Sequence, residues 1–131
     1  MRLTLDELRN YCLRKSGDVS EGLPFGDGAL VFKVRDKMFA LAMLDSVPLS
    51  VNLKCDPELA VELRERYEAV QPGYHMNKKH WITVQLDGTI PVAEVYRMVD
   101  ASYALVAGKG SGETGTKRRT KRRGKIRRPN R

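Results

Sequence analysis

The chain has 131 residues, 41% hydrophobic and 31% charged, with 24 Lys and Arg against 16 Asp and Glu for a formal charge of +8. That is apolar material for one small core. Its longest apolar run, Met38 to Leu44, is far short of a bilayer span, and Met1-Arg2 leads into no apolar signal region, so a membrane-spanning helix is excluded and the cytoplasm is the expected location.

The first element is announced by Thr4 and Glu7, spaced as a capping box, with Leu3 and Leu8 placed as a hydrophobic staple. Leu5, Leu8, Tyr11 and Cys12 give the helix one apolar face, and Gly17 offers a left-handed stop, which puts its end near Lys15. Period two follows. Leu30, Phe32 and Val34 alternate with Val31 and Lys33, and Leu49, Val51 and Leu53 alternate with Ser50, Asn52 and Lys54. Arg35-Asp36-Lys37 is a short polar turn before Met38 to Leu44, so three or four antiparallel strands are expected before the second helix. Asp56-Pro57 reads as N-cap and N1 of that helix, carried by Leu59, Leu63 and Tyr67. Ile82, Val84 and Leu86 then mark a last strand closing at Asp87-Gly88, and Pro91 opens a third helix with the stripe Val92, Val95, Val99, Tyr103 and Val106, ended by Gly108.

This order predicts a two-layer α+β fold, an antiparallel sheet with its helices on one face. The other face is then open. By strand parity Lys33, Asn52, Lys54, Trp81, Thr83 and Gln85 belong there, because Phe32, Val51, Leu53 and Ile82 must point inward. Next to this face lies Pro72 to Trp81, which collects both histidines, the only tryptophan, Tyr74, Asn77, Lys78 and Lys79. Aromatic faces, amides and cations at this density suit a polar, anionic or planar partner. Tyr74 and Trp81 anchoring the loop into the core is the structural alternative. His80 shares parity with Ile82 and Val84 and is expected to tuck in at the sheet end.

The positive charge is confined to one end. Residues 1–110 carry 14 Lys and Arg and 15 Asp and Glu, net −1; residues 111–131 carry ten cations against Glu113, net +9. With Ile126 the only aliphatic side chain from Lys117 to Arg131, that segment cannot bury enough apolar surface to fold alone. The chain thus divides into a domain, 1–109, and a disordered Gly/Ser linker with a basic tail, 110–131. Gly110-x-Gly112-x-x-Gly115 satisfies a dinucleotide-binding pattern, but it follows a helix rather than a strand and reads as linker. Cys12 and Cys55 lack Cys-x-x-Cys spacing, and no compact ligand pair accompanies the histidines, so no disulfide, metal, cofactor or catalytic residue is expected.

Several signatures resemble those of the MmcQ/YjbR family in order and spacing: Cys12-Leu13-x-Lys15-x-Gly17, Pro24-Phe25-Gly26-Asp27, Phe32-Lys33-Val34, Lys37-Met38-Phe39-Ala40, Asn52-Leu53-Lys54-Cys55-Asp56-Pro57, Pro72 through Trp81, and Ser102-Tyr103-x-Leu105-Val106. The resemblance covers about residues 1–109. It implies a fold similar to CyaY-like and secretion-chaperone-like arrangements, and DNA binding of a double-wing type. Ser16 stands where the family commonly has Pro, and the basic tail is additional to the family pattern.

The expected function is therefore non-catalytic nucleic-acid binding, most readily of DNA, through a largely nonspecific phosphate mode; the alternative is a chaperone-like protein-interaction adaptor. Lys33, Lys54, Lys78 and Lys79 are the expected phosphate contacts of the domain, with Trp81 and Tyr74 stacking and His75 and Asn77 in the same loop. The tail contributes Lys117, Arg118, Arg119, Lys121, Arg122, Arg123, Lys125, Arg127 and Arg128.

Overall fold

The computed structural model describes residues 2–15, 18–73 and 76–111, with the side chains of 109–111 excepted. Gly17, Tyr74, His75 and the whole basic tail lie outside the described residues. In chain order the elements are α1 (Leu5–Leu13), β1 (Val19–Gly22), β2 (Ala29–Val34), β3 (Lys37–Met43), β4 (Ser50–Lys54), α2 (Pro57–Arg66), β5 (Val70–Pro72), β6 (Trp81–Gln85) and α3 (Val92–Ser111).

Local chemistry sets the boundaries. At α1 the Thr4 side chain accepts from the Glu7 amide while the Glu7 carboxylate accepts from the Thr4 amide, satisfying donors that no intrahelical carbonyl can reach. Asp56 caps α2 by accepting from the Glu58 and Leu59 amides, with Pro57 just inside. The β2–β3 turn places Arg35 and Asp36 at φ 52° and 67°, the paired left-handed geometry whose twist suits a two-residue hairpin. Two boundaries differ from the sequence expectation. Gly108 does not end α3, which runs on to Ser111, since near a helix terminus one glycine costs only about 1 kcal/mol. β5 was not foreseen, because three residues including Pro72 are too short to display a period.

All strands pair antiparallel in the order β1-β2-β3-β4-β6-β5. On one face Phe32, Ala40, Val51, Leu53, Ile82 and Val84 join Leu8 and Cys12 of α1, Ala60 and Leu63 of α2, and Val95, Val99 and Val106 of α3 in a single apolar cluster. Val31 and Leu41, equally buried, are not part of it. They belong to the opposite face, where the register aligns Val31 with Leu41, Leu41 with Asn52 and Asn52 with Thr83.

That opposite face is less open than parity implies. Asn52 and Thr83, expected in solvent, are 1% and 8% exposed, and the Thr83 hydroxyl donates to Asn52 Oδ1 at 2.6 Å. Side chains standing over the strands make the difference: Phe25, Met38, Met43 and Met76 wall in the Asn52 side of the face, and Gln71 and Gln85 rise beside Thr83. The face is thus a trough with a buried floor. Lys33, Lys54, Trp81 and Gln85 remain partly exposed, as their parity requires.

Candidate functional site

The trough has two unlike ends. Strand direction brings the end of β2, the start of β3, the end of β4 and the start of β6 to one end of the sheet. Lys33, Lys54 and Trp81 are therefore at that end, with Lys54 directly opposite Trp81 in the β4–β6 pair. Lys33 is two strands from Lys54, about 10 Å away at ordinary strand spacing, and shares its part of the surface with Glu21 and Asp36. The other end carries Asp45, Ser46 and Gln71 and has no lysine lining it.

Lys54, Asn77, His80 and Trp81 line a single depression of about 270 Å³. Hydrogen bonds hold the backbone of the residues that line it. The Cys55 amide donates to the His80 carbonyl at 2.8 Å, and the Gly73 amide donates to the Trp81 carbonyl at 3.0 Å. A Cβ on Gly73 would sit 2.7 Å from the Trp81 Cβ, so glycine is what allows the β5 end to lie this close to β6. Asn77 Oδ1 accepts from the Lys79 amide at 2.9 Å, an Asx turn that shapes the bend and leaves Lys78 and Lys79 exposed. From the helical layer, Ser102 accepts from the Lys54 amide at 2.9 Å and donates to the Phe39 carbonyl at 2.5 Å, fixing the strand end that presents Lys54.

Of the expected domain contacts, Lys54, Asn77, Lys78, Lys79 and Trp81 are thus brought together, Lys33 is set apart, and Tyr74 and His75 are outside the described residues. His80 corrects the expectation. It is exposed and lines the depression, because residues 78–80 form a turn and strand alternation begins only at Trp81.

A second concavity, about 300 Å³, adjoins the first and was missed from sequence. Its floor is Leu41 and Asn52, and Phe25, Met38, Met43 and Met76 form its walls. Met43 shares the parity of Leu41 and was detectable on that ground; Phe25 and Met76 arrive from loops, where no period exists to place them. Phe25 is 71% exposed.

The polar cluster between α1 and α3 is occupied by its own members. The Tyr11 hydroxyl donates to both Asp100 oxygens, at 2.8 and 3.0 Å, the Lys15 ammonium pairs with the same carboxylate, and the Tyr11 and Tyr96 rings stack at 3.8 Å. Burial works to depress the Lys15 ammonium, but Asp100 and Tyr11 outweigh it and leave its pKa raised. This cluster clamps two helices. Cys12 and Cys55 are buried thiols, each pushed up to about 12 by burial, and are poor nucleophiles at neutral pH. Among the described residues no three His, Cys, Asp or Glu side chains are grouped to hold a metal, and no helix is long and apolar enough to cross a membrane.

A family model described as YjbR matches residues 14–105, and Escherichia coli YjbR, itself described as uncharacterized, is 41% identical over 101 residues, covering 77% of this chain and 85% of that protein. The chain belongs to the YjbR family. A crystal structure of a Deinococcus radiodurans protein with a DUF419 domain superposes with a TM-score of 0.78 at 43% identity, covering 84% of this chain and 82% of that one. A Pseudomonas syringae protein gives a TM-score of 0.69 at 29% identity over 79% of this chain and 99% of its own. The match to the YjbR model ends before the basic tail, so the polycation lies beyond the part of the chain shared with the family model.

Proposed function

We propose that this YjbR-family chain is a non-catalytic, cytoplasmic nucleic-acid-binding protein, most readily of DNA, in which the tail supplies nonspecific phosphate affinity and the lysine end of the trough supplies the domain's contacts. The observation that carries this reading is the meeting of Lys54, Asn77, His80 and Trp81 in one solvent-facing depression beside Lys78 and Lys79. Cations positioned around a partly exposed aromatic ring are the minimum equipment for holding a phosphodiester chain with one base face covered.

Charge supports a division of labour. Residues 1–110 are nearly neutral, so long-range attraction falls to the ten cations of residues 111–131. If about five of them engage phosphate, log K should fall with log salt at a slope of about −4 to −5. Titrating full-length protein and residues 1–111 against duplex DNA at two salt concentrations tests this. Truncation should weaken binding by about two orders of magnitude or more at low salt and flatten the slope; equal affinity at both salts would remove the tail from the mechanism.

The second reading, a protein-interaction adaptor, is favoured by Phe25, 71% exposed beside a pocket bearing three methionines. Such surfaces adapt to varied apolar side chains.

A further inference from the structure

We infer that the methionine-walled pocket receives one unstacked base of a single-stranded nucleic acid whose neighbouring base lies on Trp81. This deepens the nucleic-acid reading and rests on it. The two concavities are adjacent along the chain on both sides: Asn52 of the methionine-walled pocket and Lys54 of the depression beside Trp81 are two residues apart on the same face of β4, and Met76 of the pocket precedes Asn77 of the depression. Two residues along a strand is a step of about 6.6 Å, the scale on which successive bases of an extended strand are set apart.

Each concavity offers what a base requires. The methionine-walled pocket is about 300 Å³, large enough for a nucleobase, and its walls are thioethers and one aromatic ring, polarisable groups that favour contact with a flat π-system. Its floor is the aliphatic Leu41 beside Asn52, whose Oδ1 already accepts from the Thr83 hydroxyl, so the pocket offers a base its walls as stacking surfaces rather than an edge to hydrogen-bond. The depression has the Trp81 indole and Lys54 in its lining, and Lys78 and Lys79 stand exposed in the adjoining turn, where the connecting phosphates would pass. Lys54, Lys78 and Lys79 are at the depression and Asp45 is at the other end of the trough, so charge complementarity favours an anionic strand and sets where it runs. A duplex keeps its bases stacked and paired, and cannot offer one to the pocket.

The test uses full-length protein, an oligothymidylate of roughly ten nucleotides and a duplex of the same length. Trp81 is the only tryptophan, so its fluorescence reports directly on the site. Quenching is expected with the single strand. Ala29→Leu, which fills the pocket from β2, should weaken oligothymidylate binding about tenfold while duplex affinity, governed by phosphate contacts, stays within about twofold. Phe25→Ala removes one wall at a position 71% exposed and so keeps the test standing should the filled pocket impair folding. If folded variants bind oligothymidylate as tightly as the unaltered protein, the pocket assignment is wrong and the nucleic-acid reading survives. If neither strand form binds at low salt, both are wrong. If an apolar peptide displaces oligothymidylate from the pocket and binds more tightly, the occupant is protein and the inference falls.

Discussion

The two faces of this sheet are built from the same strands by the same alternation, yet one is covered by helices and the other only by side chains of its own strands and of loops. On the helical face Phe32, Leu53, Ile82 and Val84 are at most 1% exposed against side chains from all three helices. Across the sheet, Asn52 and Thr83 are also buried, though beneath side chains rather than a helix, with a hydrogen bond between them. A helix-covered face is specified by volume and holds the fold. A face without helices over it keeps concavities, and at one end of it polar and aromatic groups meet.

The comparison breaks most visibly if residues on the two faces respond alike. Leu53→Ala, on the helical face, should cost about 2–5 kcal/mol, read as a fall in the urea midpoint at constant slope. Trp81→Ala on the trough face should cost less than about 2 kcal/mol, since the ring is only partly buried. It should nonetheless remove most of the domain's nucleic-acid affinity. A Trp81→Ala protein that unfolds like Leu53→Ala would place the indole in the core and cancel the site.

Ser102→Ala sharpens the comparison, because this buried hydroxyl spans both layers. It leaves the Phe39 carbonyl without its donor and the Lys54 amide without its acceptor, for a cost of about 1–3 kcal/mol. Binding should weaken as well, through loss of definition at Lys54, and Ser102→Thr should restore part of it. An Ala variant that loses stability alone would show that the helical layer does not position the site.

What was legible in the sequence follows the same division. Alternation placed Lys54 and Trp81 on the trough face, and caps at Thr4 and Asp56 placed two helix starts, because these signals are local. His80 was misplaced by carrying strand parity through a turn. The pocket beside Asn52 takes two of its walls, Phe25 and Met76, from loops distant in sequence, and no periodicity encodes where a loop will lie.

The thiols give a smaller, chemical measure of closure. Cys12 on α1 and Cys55 after β4 both lie in the core between sheet and helices, with pKa pushed up to about 12 by burial. A thiol raised above its unfolded value of 9.0 contributes stability that is complete below pH 9 and is lost as pH rises toward 12. Alkylation at neutral pH should therefore proceed only as fast as global opening and accelerate with denaturant. Rapid modification of the native protein would mean that the helical face opens locally.

The smallest expected effect is at the rim of the helical face, where α1 meets the edge strand β1. Arg9 donates to both Glu21 oxygens, at 2.7 and 2.6 Å, and this hydrogen bond holds the Glu21 carboxyl below its ordinary value against the opposing effect of desolvation. A depressed carboxylate stabilises the fold above its unfolded pKa and ceases to do so as pH falls through the folded one. Glu21→Gln should therefore lower the melting temperature slightly at neutral pH, and the difference from the unaltered protein should shrink below pH 4.5. Because the pair is solvent-exposed, salt should erase much of the difference as well. A gap between the two proteins that survives both acid and salt would mean that Glu21 acts through packing at the β1 edge, and that the rim belongs to the core it borders.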